Sequence, residues 1–163
     1  MNIYLDMDDV VADWMGYARK IVNRDWNYGQ MIPQHEWNRL RDDQRMYRNL
    51  PLKEGAHDLV NWCREYCGKN NVGLFFLSAI PHNNDMPWAI QDKVFWAHEY
   101  FPDIPVFLGP YSHDKWRRCK PGDILIDDRT SNCQEWIREG GRAHIYRNWE
   151  DCKVWLEKEL GVQ

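Results

Sequence analysis

Ile3-Tyr4-Leu5-Asp6-Met7-Asp8-Asp9-Val10-Val11-Ala12-Asp13 opens the chain almost at once. An apolar run enters and stops at three carboxylates, Asp6, Asp8 and Asp9. Asp6 and Asp8 stand at spacing i, i+2, which on an extended chain puts both side chains on one face. Acids crowded at the end of a buried strand repel one another. The usual relief is a hard cation such as Mg²⁺, which takes carboxylate and carbonyl oxygens. The stretch therefore reads as a candidate metal site with a nucleophilic carboxylate.

Working outward, four more apolar runs have the length and composition of buried strands: Val72 to Leu77, Val106 to Leu108, Ile124 to Ile126 and a weaker one, Ala143 to Tyr146. Helical patterns lie between them, at roughly 55–67, 86–100, 131–139 and 149–160. Strand alternating with helix predicts an α/β fold, a Rossmann-like parallel sheet with helices on both faces. Right-handed crossovers then bring every strand's C-terminal end to one edge, where open α/β sheets bind ligands. Residues 14–51 break the rhythm. They are polar and rich in Trp, Arg and Asn, with Pro33 and Pro51 as punctuation. Two helices are expected there, about 11–24 and 34–47, joined by a turn at Tyr28-Gly29. The domain reading is an α/β core of residues 1–13 and 52–163 with a small helical cap, 14–51, lying over the sheet edge.

Bulk properties narrow the function. The chain has 163 residues and a net charge of -4, so no broad basic field would draw nucleic acid, and no stable nucleic-acid partner is expected. No apolar run approaches the roughly 20 residues of a membrane span. Met1 is followed so soon by Asp6 that no secretory leader is expected. The five cysteines, at 63, 67, 119, 133 and 152, are read as reduced thiols of a cytoplasmic protein. Ten tryptophans are many for this length. Most should pack core and rim, with a few free to stack on a flat ligand near a site mouth. The arginines from Arg39 to Arg48 read as a solvated helix face balanced by Asp42 and Asp43. A homodimer is compatible with the sequence.

Three strands end in chemistry-bearing residues. The first runs into Asp6 and Asp8, the second into Ser78, and Ile124-Leu125-Ile126 into Asp127-Asp128. Asp and Ser also serve as turn and cap residues, so any one of these could be local punctuation. Together they describe a site that lacks only a cation for an anionic substrate. Lys93, Lys115 and Lys120 are the candidates.

The pattern apolar-Asp6-x-Asp8-x-Val10, apolar-Ser78, Lys, Ile126-Asp127-Asp128 resembles the four motifs of the haloacid dehalogenase superfamily, spanning residues 3 to 128. Within it, four segments resemble the 5′(3′)-deoxyribonucleotidases. They are Asp6 to Trp14, Asn49 to Ala56, Lys93 to Phe101, and Leu125 to Arg129. The resemblance implies a haloacid dehalogenase-like core and a Mg²⁺-dependent phosphatase working through an aspartyl-phosphate, most simply on small nucleoside monophosphates. Asp6 would be the nucleophile and Asp8 the acid and base. Mg²⁺ would bind Asp6, the backbone carbonyl of Asp8 and the fourth motif, with Asp128 favoured as direct ligand and Asp127 behind it. Ser78, Ala79 and Lys93 would hold the phosphate, with Lys115 in reserve for the lysine role. Trp14 and His82 would lie near sugar and base. Two departures stand out: Asp9 occupies a position where the family usually has Gly, and Ser78-Ala79 replaces a Thr-Ser pair. The same motifs serve sugar-phosphate and nucleic-acid 3′-phosphatases, and a non-catalytic binding module could keep this fold. A receiver domain does not fit, because Val72 to Leu77 ends in Ser78 where such a domain carries its phosphorylated Asp.

Overall fold

A computed structural model describes the chain except at residues 28–29, 44, 82–85, 110 and 163. The turn expected at Tyr28-Gly29 and the candidate His82 lie outside the described residues. Five strands form the sheet: β1 (Asn2–Leu5), β2 (Gly73–Ala79), β3 (Val106–Gly109), β4 (Ile124–Asp127) and β5 (Arg142–Ile145). Their order is β3-β2-β1-β4-β5, and every pairing is parallel. The strand carrying Asp6 is thus central, flanked by the strands that carry Ser78 and Asp127.

The helices are α1 (Trp14–Val22), α2 (Gln34–Asp42), α3 (Met46–Asn49), α4 (Ala56–Asn70), α5 (Ala89–Tyr100), α6 (Thr130–Arg138) and α7 (Trp149–Leu160). A 3-10 helix, Ser112–Arg118, precedes β4. Alternation along β1 sends its side chains to two cores. Ile3 and Leu5 join the larger one, with Leu59 and Val60 of α4, Trp96 of α5 and Leu156 of α7. Tyr4 points the other way, to Leu77, Leu125 and Trp136 of α6. Helices therefore cover both faces, as parallel sheets require. Helix starts follow local chemistry. Asp13 caps α1 by accepting from Gly16 N, and Asn148 caps α7 by accepting from Asp151 N. Gly55 precedes α4 at φ 77°, and a Cβ there would stand 2.7 Å from Trp149 Cβ, so both backbone and space call for glycine.

Between β1 and α4 the chain makes a helical excursion with a paired stem. Asp13 N donates to Pro51 O and Lys53 N to Val11 O, both at 2.8 Å, with an Ala12–Leu52 bridge between them. Among the described residues three helices occupy the excursion where two were expected. The second ends at Asp43, whose ψ of 84° is not helical. The Asp43 carboxylate accepts from Tyr17 Oη and Arg45 N, so a side chain that competes with helical backbone bonding splits α2 from α3. Arg39 and Arg41 are exposed, as a solvated face would have them, while Arg45 and Arg48 are half-buried. Arg39 donates to the carbonyls of Ile21 and Val22 at the end of α1. Arg45 donates to buried Asp92 of α5 at 2.6 Å, and Arg48 lies 3.6 Å over the ring of Phe95. These arginines fasten the excursion to itself and to the core.

Trp26 is buried, donating its indole N–H to Glu36, which also pairs with Arg24. It holds α1 and α2 together. All five cysteines are free thiols. Among the described residues no helix is long and apolar enough to cross a membrane.

Trp96 Nε1 donates to the Leu50 carbonyl at 2.7 Å, joining α5 to the foot of the excursion inside the core. Trp96→Phe removes that donor and leaves a buried carbonyl unpaired. It is expected to cost about 1–3 kcal/mol beyond the lost ring volume. Urea titration checks this, since Trp96→Phe at unchanged midpoint would show the bond to be without weight.

Candidate active site

The C-terminal edge of the sheet gathers the acids. Asp6 N donates to Ile126 O at 2.9 Å, carrying strand pairing one residue past β1 and setting the Asp6 side chain beside β4. Asp6 Oδ1 accepts from Met7 N at 2.8 Å and from Lys115 Nζ at 2.7 Å. Lys115 is buried and also donates to Asp127 Oδ2 at 2.7 Å. Asp127, fully buried, accepts further from Arg129 N and, through both oxygens, from Asn132 Nδ2. Its carboxylate is saturated by protein donors. Asp128, next along, is only partly buried and faces the cavity with Asp6.

A second ion pair stands on the β2 side. Lys93 Nζ, buried, donates to Asp8 Oδ2 at 2.5 Å and to Ser78 Oγ at 3.0 Å. Asp8 Oδ1 is buried with no partner among the described residues. The ring of Tyr47 lies 4.5 Å from Lys93 Nζ, a cation–π contact that shields the ammonium from water. Each of the two leading acids thus has its own buried lysine: Lys115 for Asp6, Lys93 for Asp8.

Burial and mutual repulsion set the electrostatics. Burial lifts Asp128 from its ordinary 3.8 to about 8, helped by the charges of Asp6, Asp127 and Asp9 and opposed by Lys115. Asp6 rises to about 6, chiefly through burial, with Lys115 holding it down and Asp127 and Asp8 pushing it up. Burial by itself lowers the Lys115 pKa, but Asp127 and Asp6 outweigh it and keep it above the ordinary value. Burial, then the charge of Asp8, raises Tyr47 well above a normal phenol, so it stays neutral.

A cation would relieve this crowding. Asp6, Asp127 and Asp128 each offer a carboxylate oxygen, and these lie within 4.8 Å of one another. The donors are all hard oxygens, which suit Mg²⁺ and not a soft thiophilic metal. Because Asp127 is already saturated, Asp6 and Asp128 are the side chains with coordination to offer. The orphaned Asp8 Oδ1 marks a second place where a ligand's donor fits.

In front of the acids lies a cavity of about 820 Å³, with Asp6, Asp8 and Asp128 on its floor and Trp14, Trp37 and Tyr111 among its walls. Trp14 stacks on Trp37 with ring centroids 6.3 Å apart. Trp14 therefore packs the excursion and lines the cavity at once. Ala79 lines the same space. Asp6, Asp8, Ser78, Lys93, Asp127 and Asp128 converge here, and Lys115 joins them with a place as central as that of Lys93. Asn132 and Tyr47 were not singled out from sequence. A buried polar residue five positions after an acid pair, in the first turn of a helix, was the available hint for Asn132; Tyr47 offered none.

Known proteins resemble the chain in the same sense. A family model described as 5′ nucleotidase, deoxy (Pyrimidine), cytosolic type C protein matches residues 1–148. Proteins from two strains of Staphylococcus epidermidis, carrying the provisional name 5′(3′)-deoxyribonucleotidase, are 29% identical over 145 residues, covering 78% of this chain and 73% of theirs. The solved structure of a hydrolase from Streptococcus pneumoniae TIGR4 shares the fold, with a TM-score of 0.56 at 13% identity over 96% of this chain and 97% of that one.

The raised acids make stability depend on pH. A raised acid pKa means the folded protein keeps protons that the unfolded chain has released, so stability falls as pH climbs. For Asp128 the window runs from 3.8 to about 8. In EDTA the melting temperature is expected to drop across the upper part of that window. Added Mg²⁺, which binds the ionised acids, should restore it, and more so at higher pH. Asp128→Asn should flatten the profile. A metal-free melting temperature that rises with pH there would contradict the assignment.

Proposed function

We propose a reaction for this chain, which belongs to the 5′ nucleotidase, deoxy (Pyrimidine), cytosolic type C family: Mg²⁺-dependent hydrolysis of deoxyribonucleoside monophosphates through a phosphate ester on Asp6. Members of the family are phosphomonoester hydrolases with a haloacid dehalogenase-like fold, and this chain is one of them. The finer reading is carried by one observation: Asp6 and Asp8 are tethered to different lysines, each leaving one oxygen free of its lysine, at the floor of an aromatic-walled cavity. The names of the staphylococcal relatives support the substrate class.

The tethers divide the labour. Both contacts to Asp6 fall on Oδ1, which orients the carboxylate and leaves Oδ2 to attack phosphorus. As the Asp6–phosphorus bond forms, the ester bond breaks and the leaving alkoxide takes a proton from Asp8. Asp8 Oδ1, buried and unpaired, is the oxygen placed to carry it. Ser78 Oγ and Lys93 Nζ hold the phosphoryl oxygens. Water then attacks the phosphorus of the intermediate and gives a proton to Asp8. Cleavage of the Asp6–phosphorus bond restores the Asp6 carboxylate, leaves Asp8 protonated as it began, and frees phosphate. When bound by Asp6, Asp128 and the Asp8 backbone carbonyl, Mg²⁺ supplies charge neutralisation that lets a dianion approach the acids. Asp127 has another task, holding Lys115 against Asp6. The cavity's tryptophans give a nucleobase a flat apolar face.

A screen of deoxyribonucleotides, ribonucleotides and sugar phosphates with Mg²⁺ or EDTA tests the reading. Mg²⁺-dependent turnover of dTMP or dUMP is expected to exceed that of sugar phosphates. Asp6→Asn should abolish turnover, and Asp8→Asn should lower kcat by about 10²–10⁴-fold with Mg²⁺ binding retained. Full activity of Asp6→Asn, or a preference for sugar phosphates, would overturn it.

A further inference from the structure

We propose that Asp9 is a positioning residue that sets Trp14 against the phosphate end of the site and so contributes to binding of the nucleoside. The proposal rests on the nucleotidase reading and deepens it.

The backbone at Asp9 has φ 59°, the left-handed region that a glycine enters without a Cβ clash. Asp is among the few other residues that tolerate it, because its short side chain bonds nearby backbone. Here it does so at a chosen place. Asp9 Oδ1 accepts from Met15 N at 2.9 Å, six residues on. The first turn of α1 is therefore capped twice, with Asp13 taking Gly16 N and Asp9 taking Met15 N. Asp13 is the ordinary cap. Asp9 reaches across from the loop that begins at the catalytic acids.

The N–H of Met15 belongs to the peptide plane joining Trp14 to Met15. Fixing that plane fixes the backbone from which the Trp14 ring projects. Lys53 Nζ stands 3.9 Å from the same Asp9 oxygen, so the returning strand of the stem is tied in as well. Asp9 is buried and shares the cavity with Asp6, Asp8 and Trp14. One carboxylate thus joins the acid loop, the first turn of α1 and the stem. It links the part of the site that holds phosphate to the part that would hold the base.

The role separates from phosphate chemistry in a KM-against-kcat comparison. Asp9→Gly deletes the carboxylate and eases the backbone, so the fold is not strained by the change. It is expected to raise KM for dTMP about tenfold with kcat within about twofold, the pattern of lost uniform binding. Competitive inhibition by inorganic phosphate, which has no base to place, should be unchanged. Asp9→Asn keeps an oxygen for Met15 N and should stay within about threefold of the parent KM. An unaltered KM in Asp9→Gly, or an equal loss in phosphate inhibition, would overturn the proposal. Should the parent enzyme itself ignore nucleotides, the nucleotidase reading fails by itself. Asp9 is then judged by amide exchange in the first turn of α1. That exchange should quicken in Asp9→Gly and return to the parent rate in Asp9→Asn, and an unchanged rate in Asp9→Gly refutes the positioning role.

Discussion

Two ammonium groups buried among carboxylates are the constraint on which the rest of this molecule turns. Lys115 and Lys93 are both nearly excluded from water, and each touches an acid of the N-terminal loop. A buried charge is tolerated only when paired and hydrogen-bonded. The acids need the lysines as much as the lysines need the acids, because Asp6, Asp8, Asp127 and Asp128 would otherwise confront one another at one sheet edge. Removing either partner of such a pair exposes the other's full desolvation cost. The central place of β1 follows from this, since only a strand with neighbours on both sides can set its terminal acid between two lysine-bearing walls.

The pairing also explains how similar side chains take different tasks. Asp127 is saturated by Lys115, Arg129 N and Asn132 and so acts as scaffold. Asp128 projects into the cavity with a strongly raised pKa and is left in need of a cation. The residues are adjacent and chemically identical. What separates them is alternation at a strand's end, which turns one into the protein and the next toward solvent.

Much of this was legible in the sequence. Short apolar runs ending in acids or serine marked the strands and their common edge, because a buried parallel strand must be apolar and must stop where chemistry begins. The converging acids and Ser78 were named on that ground, and Lys93 through the resemblance of its helix to the family's. The helix carrying Lys115 was not, since Ser-His-Asp-Lys-Trp-Arg-Arg has no apolar period and a short 3-10 turn needs none. Nor could the sequence reveal that Lys115 would be buried, because its two partners lie at distant positions. The core contacts of Arg45 and Arg48 were hidden for the same reason. Arg45 finds Asp92 47 residues away, and local charge balance with Asp42 and Asp43 gave no sign of it. The break between α2 and α3 was hidden because Asp43 is helix-compatible until its side chain is offered Tyr17.

The paired stem carries one more consequence. Entry and exit of the helical excursion sit side by side, joined by backbone bonds between residues 11–13 and 51–53. The sheet therefore meets the excursion through a closed stem, and α5 meets it through Arg45, Tyr47 and Arg48 alongside. Chain entropy makes a longer loop only slightly dearer, growing with the logarithm of its length. Such a junction behaves as a socket. The part of its roof away from α5 can be lengthened or shortened in descent while the acids beneath keep their places, so specificity and catalysis are free to change at different rates.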